Sequence, residues 1–135
     1  MRSPRALLVV AALALAPALV ACSSAAGDPE AAPTTTAAVE PVEVTADTVV
    51  IDVRTPEEFA EGHLEGALNI SLQDAAFDQR IDALDPDGTY VVYCRTGNRS
   101  AQAAARMADA GFTDVTDAGG IDDAAAATGL EVVTN

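Results

Sequence analysis

Tryptophan and lysine are absent from this sequence, histidine occurs once and cysteine twice. A single histidine, His63, excludes a histidine-rich metal site, and two cysteines, Cys22 and Cys94, cannot build a disulfide scaffold or a thiolate metal cluster. No cofactor motif and no internal repeat are present, so neither a metal nor a cofactor is expected. Positive charge is also scarce: seven arginines face 21 acidic residues, a formal net charge of −14. Such a surface repels nucleic acid and anionic lipid headgroups, which removes both from the expected partners.

No apolar run is long enough for a comfortable membrane span. The longest, Ala6 to Val20, follows the positive pair Arg2 and Arg5, contains Pro17, and closes with Leu19-Val20-Ala21-Cys22. That tetrapeptide resembles a bacterial lipobox. The resemblance implies a signal peptide over residues 1–21, cleavage before Cys22 and a lipid on Cys22, so that the protein is exported and anchored to the membrane with its domain outside the cytoplasm. An uncleaved anchor and an ordinary secretory signal cut after Ala21 or later are the alternatives. Without Arg2 and Arg5, five arginines face the same acids, and the charge is near −16. Residues 22–41 are rich in Ser, Ala, Thr and Pro with no apolar period and read as a flexible tether, its ends roughly 25 Å apart. About 95 residues then remain, over 42–135, enough for one small domain.

The most informative stretch is Cys94-Arg95-Thr96-Gly97-Asn98-Arg99-Ser100, directly after the apolar run Tyr90 to Tyr93. It puts a cysteine at a strand end, a turn glycine behind it and two arginines around it, just before a helix-periodic segment. A thiol becomes a nucleophile only as its anion, and a helix N-terminus, converging backbone N–H groups and guanidinium charge all favour that anion. A lone buried cysteine is most often a packing residue. Packing, however, requires neither Arg95 and Arg99 nor a glycine at 97, and two of the protein's few cations beside Cys94 point to a local anion pocket.

Hydrophobic patterning surrounds this stretch with alternating elements. Val49 to Val53 reads as a strand buried on both faces, Pro56 to Phe59 opens a short helix, with Glu57 and Glu58 at its positive dipole end, and Ala67 to Ile70 is a second strand. Leu72 to Leu84 fits an amphipathic helix, ended by the turn Asp85 to Gly88. Tyr90 to Cys94 is the next strand, Ser100 to Ala110 a helix stopped by Gly111, and Asp114 to Thr116 a short strand. Gly119-Gly120 makes a turn into an alanine-rich helix over Ile121 to Ala127, which Gly129 ends before Leu130 to Val133. Strands alternating with helices imply an α/β domain with a parallel sheet, its active site beyond the carboxyl ends of the strands.

Four segments in this order resemble single-domain rhodaneses: Asp52 to Phe59, Gly62 to Ile70, Tyr93 to Ser100, and Gly111-Phe112 with Gly119-Gly120. The resemblance implies a small central parallel sheet covered by helices on both faces. It also implies a sulfurtransferase in which Cys94 takes a sulfane sulfur from a small anionic donor, becomes a persulfide, and passes the sulfur to an acceptor, a protein being one candidate. Backbone N–H groups from Arg95 to Ser100, Gly97 and Asn98 included, would cradle the persulfide. Arg95 and Arg99 would bind an oxyanion such as thiosulfate. Thr96 and Ser100 would donate hydroxyl hydrogen bonds, the alternative for Ser100 being a helix cap. Asp52 and Arg54 are expected to form a structural pair beside the loop, and His63 to be structural.

Related phosphatases on this fold place five residues between cysteine and arginine; here Cys94 and Arg99 enclose four, which fits a sulfur atom better than a phosphate, and no general acid for ester cleavage is evident. Phosphatase or arsenate reductase chemistry is therefore disfavoured, while a sulfur carrier without turnover, or a sensor of reactive sulfur species, remains open. Two departures from the family pattern stand out. Only Thr45-Ala46-Asp47 replaces the usual first helix, which predicts a thinly covered sheet face. The aromatic residue that usually follows the Gly-Gly turn is missing, which predicts a weakly packed C-terminal helix, since alanines bury little area.

Overall fold

A computed structural model describes residues 40–134. Four strands, β1 (Thr48–Asp52), β3 (Leu68–Asn69), β4 (Thr89–Cys94) and β5 (Asp114–Gly120), form one parallel sheet in the order β3-β1-β4-β5. Helices α1 (Pro56–Glu61), α2 (Phe77–Ile81), α3 (Asn98–Asp109) and α4 (Ile121–Thr128) connect or follow them. A separate antiparallel ribbon pairs β2 (His63–Leu64) with β6 (Val132–Val133).

The period of two along the central strands sends alternate side chains into two apolar clusters. Ile51, Tyr90 and Val92 join Ala103 and Met107 of α3 and Phe77 and Ile81 of α2 on one side. Val50, Val91 and Tyr93 meet Leu64 and Ala124 of α4 on the other. Both faces of the central strands are thus apolar, which is why they read as continuous hydrophobic runs.

The second face is better covered than the missing helix predicts. Val42 and Val44 lie against its apolar cluster, and the Val42 N–H donates to Ala127 O at 2.9 Å, so the extended chain before β1 straps onto α4. The C-terminal helix is likewise anchored: Ala124 is fully buried and Ala127 nearly so. Their small side chains let α4 approach the sheet closely.

Three predicted boundaries move. The helix expected over 72–84 shrinks to Phe77–Ile81, because Ser71 and Asp74 side chains accept from the N–H groups of Gln73 and Ala76 and hold the segment before it in turns. The helix after Cys94 starts at Asn98 instead of Ser100. The strand expected over 114–116 runs on to Gly120, with an irregularity opposite Val92 to Cys94 that brings Gly120 beside Cys94. The β2 and β6 pairing is not predicted at all, since two-residue strands carry no periodicity.

Candidate active site

Cys94 ends β4 and is 1% exposed. Arg95 to Gly97 then reverse the chain, with Gly97 at φ +91°, a left-handed conformation that glycine takes without strain, serving as the N-cap of α3. Because this cap has no side chain, the amides of the first helical turn stay open to another acceptor. The Gly97 N–H donates to Cys94 Sγ at 3.0 Å. Burial pushes the Cys94 thiol up, but the backbone and hydroxyl of Ser100 and the backbone of Thr96 and Gly97 outweigh it, so the thiol lies below its ordinary value.

The Gly-Gly pair, expected as a turn, serves this loop. A Cβ on Gly120 would stand 3.0 Å from Arg95 O and 3.5 Å from Thr96 Cα. Only a bare backbone lets β5 press this closely on the Cys94 loop. Ser100, the third residue of α3, is fully buried and is therefore not the helix cap. Its hydroxyl lies 3.0 Å from Gly97 O and 3.3 Å from Gly119 O, tying the loop to β5. It has one proton, which reaches a carbonyl or the sulfur but not both. Asn98 faces along its own helix, its Oδ1 accepting from Gln102 Nε2.

The arginines are not both free, as the sequence suggests. Arg99 Nη1 and Nη2 donate to the two oxygens of Glu58 at 2.6 and 2.8 Å, and Arg95 Nη1 lies 3.8 Å from the same carboxylate. Arg95 itself is mostly exposed. From sequence Glu58 reads only as an acid at a helix dipole; the available signal was Thr55-Pro56-Glu57-Glu58, a capping box in which Thr55 and Glu58 bond reciprocally. That box aims Glu58 at the loop. The Arg99 hydrogen bonds hold its carboxyl down to about 2, burial opposing them.

Asp52, at the end of β1, is fully buried and receives Arg54 through its backbone N–H, Nε and Nη2, the last at 2.6 Å. Arg54 also donates to Gly62 O and lies 5.8 Å from the Tyr93 ring. Satisfied so fully, the pair neutralises itself beneath the site and pins the chain after β1. His63 is buried, stacked on Phe59 at 3.8 Å, with Nδ1 bonded to Phe59 O, and joins the β2 ribbon to α1. Cys22 lies outside the described residues.

Two hollows lie away from the thiol. One of about 300 Å³ opens between α2 and α3 around Phe77 and Arg106; another of about 270 Å³ lies by Thr55, Ser71 and Asp74. Neither is lined by Cys94. Among the described residues no cluster of three or more His, Cys, Asp or Glu side chains is placed to hold a metal, and no helix is long and apolar enough to cross a membrane.

The family model for the rhodanese-like domain matches residues 37–127. This chain belongs to the rhodanese-like domain family. Its similarity to the thiosulfate sulfurtransferase PspE of Escherichia coli is 42% identity over 77 residues, covering 56% of this chain and 72% of that protein. The thiosulfate sulfurtransferase GlpE of Pseudomonas aeruginosa is 42% identical over 66 residues, with 49% of this chain matched and 58% of the relative's length spanned. Among solved structures, a rhodanese with anions from E. coli superposes with a TM-score of 0.55 at 33% identity, covering 65% of this chain and 99% of that one. The rhodanese fold accounts for the parallel sheet and for the loop that carries Cys94 at its carboxyl edge.

Proposed function

We propose that this rhodanese domain is a sulfurtransferase working through a Cys94 persulfide. The observation that carries the reading is the Cys94 Sγ in a loop of inward N–H groups, at 3.0 Å from Gly97 N, with its thiol below the ordinary range. The Cys94 thiolate attacks the outer sulfur of a donor such as thiosulfate. A sulfur–sulfur bond forms to Cys94, the donor's own S–S bond breaks, and the electron pair leaves with sulfite. The persulfide anion then occupies the cradle, and a thiophilic acceptor attacks its terminal sulfur and releases the Cys94 thiolate. The cradle stabilises the negative sulfur before and after transfer. The activity in the names of the relatives agrees with this chemistry.

The lipobox-like Leu19 to Cys22 supports export and a lipid anchor at Cys22, with residues 22–41 as the tether. Intact mass of residues 40–135 before and after thiosulfate, beside Cys94→Ser, tests the chemistry. The expected result is a gain of one sulfur atom that cyanide removes and the variant never acquires; no gain with thiosulfate or polysulfide overturns the reading. Turnover with cyanide distinguishes an enzyme from a carrier. Metabolic labelling with a fatty acid, lost in Cys22→Ala, tests the anchor.

A further inference from the structure

Among the described residues each of the five arginines lies within 3.9 Å of a carboxylate, and the two beside the thiol, Arg95 and Arg99, share one, Glu58. The balance around Cys94 is unusual for a site meant to attract a dianion. Arg99 and Arg95 contribute two positive charges, and Glu58 cancels one of them at contact distance. The buried Asp52 and Arg54 sum to zero. Beside Gly120, the register partner of Cys94, the Asp123 carboxylate stands within 3.5 Å of where side chains on Gly119 and Gly120 would begin. Once Cys94 ionises, the charged side chains around the sulfur no longer sum to a positive field.

Glu58 is not placed there by the arginines alone. Its Oε2 accepts from the Thr55 N–H at 3.1 Å while the Glu58 N–H donates to Thr55 Oγ1, a capping box that the start of α1 forms whatever the loop does. The carboxylate is thus a fixed counter-charge built into the helix next to the site.

We propose that Glu58 is a specificity-determining positioning residue: by holding Arg99 and opposing Arg95, it makes the Cys94 site favour sulfur donors carrying one negative charge, such as organic thiosulfonates, over dianions such as thiosulfate. The inference rests on sulfur transfer through Cys94. Each additional negative charge on a donor meets the thiolate, Glu58 and Asp123, while the backbone cradle serves the attacked sulfur whichever donor delivers it.

The test compares thiosulfate, a dianion, with methanethiosulfonate, a monoanion in which a methyl group replaces one oxide. Both lose their outer sulfur to Cys94, the first releasing sulfite and the second methanesulfinate. With cyanide as acceptor, Glu58→Gln is expected to raise the ratio of kcat/KM for thiosulfate over methanethiosulfonate about three- to tenfold, the range for one unit charge near a donor in a partly wet site. Glu58→Asp, which keeps the charge, should leave the ratio near wild type. Asp87→Asn, which removes the same unit of charge in the turn before β4 at the opposite end of that strand from Cys94, should also leave it unmoved. Arg95→Gln, at an exposed side chain whose loss does not endanger folding, should move the ratio the other way and keeps the test decisive if Glu58→Gln proves unstable. A ratio unchanged in Glu58→Gln and Arg95→Gln, or shifted equally by Glu58→Gln and Asp87→Asn, overturns the inference. Absence of wild-type turnover and of persulfide formation with either donor overturns the underlying reading instead.

Discussion

Replacing Ser100 with alanine separates two jobs of one buried hydroxyl. In the structure the oxygen lies 3.0 Å from Gly97 O and 3.3 Å from Gly119 O, and the same group helps to lower the Cys94 thiol. Gly97 O keeps a second donor, the Ala101 N–H at 3.2 Å, so Ser100→Ala forfeits about one neutral hydrogen bond without leaving that carbonyl bare. The cost to stability is about 1 kcal/mol, or a Tm lower by about 4–8 °C in a domain of this size. The functional effect has a definite sign. A donor to sulfur favours the charged form, so its loss must raise the thiol's pKa and shift the pH midpoint of Cys94 alkylation by iodoacetamide upward. If the midpoint stays put or falls while Tm drops, the Ser100 proton is held by the carbonyls throughout, and the claim that it supports the thiolate is refuted.

Three further changes probe the scaffold of the site. Gly120→Ala puts a methyl group 3.0 Å from Arg95 O and forces the loop to shift by a few tenths of an ångström; about 1–3 kcal/mol of stability and about tenfold in kcat/KM should be lost, and wild-type kinetics would show that the close approach is not needed. Tyr93→Phe removes the hydroxyl that accepts the buried Leu64 N–H at 3.0 Å; denaturant unfolding should show a loss of about 1–3 kcal/mol, with faster hydrogen exchange at Leu64, and a loss under about 0.5 kcal/mol counts against the bond. Glu58 ionises at about 2 in the folded protein, below its ordinary value, so its contribution is complete above about pH 4.5 and fades as the pH falls toward 2. The difference corresponds to at most about 3.4 kcal/mol, which solvent on its outer side reduces to about 1–2 kcal/mol. The stability gap between wild type and Glu58→Gln should therefore narrow between pH 6 and pH 2.5, and a gap constant with pH contradicts the pairing.

Much of this architecture is legible in the sequence, because the residues concerned act locally. Val49 to Ile51 and Tyr90 to Tyr93 announce central strands by being apolar on both faces, Thr55 and Pro56 announce a helix start, and Cys94 to Ser100 announce a strand turning into a helix around a thiol. Boundaries are less legible where side chains compete with the backbone, as Ser71 and Asp74 do in shortening α2.

By itself the sequence determined the class of fold, the position of the thiol at a strand's carboxyl end and the placing of two of the protein's few cations beside it, since periodicity, turn chemistry and charge are properties of neighbouring residues. Tertiary structure alone decided what those residues meet. Glu58 and Arg99 stand 41 positions apart and meet because α1 and α3 follow the carboxyl ends of the paired central strands β1 and β4. Gly120 presses on the Cys94 loop because β5 pairs with β4, and Val42 covers a face left bare by a missing helix because it bonds to Ala127. Such contacts join distant segments through the packing of the sheet, and no local pattern encodes which distant carboxylate or carbonyl the fold will bring within 3 Å.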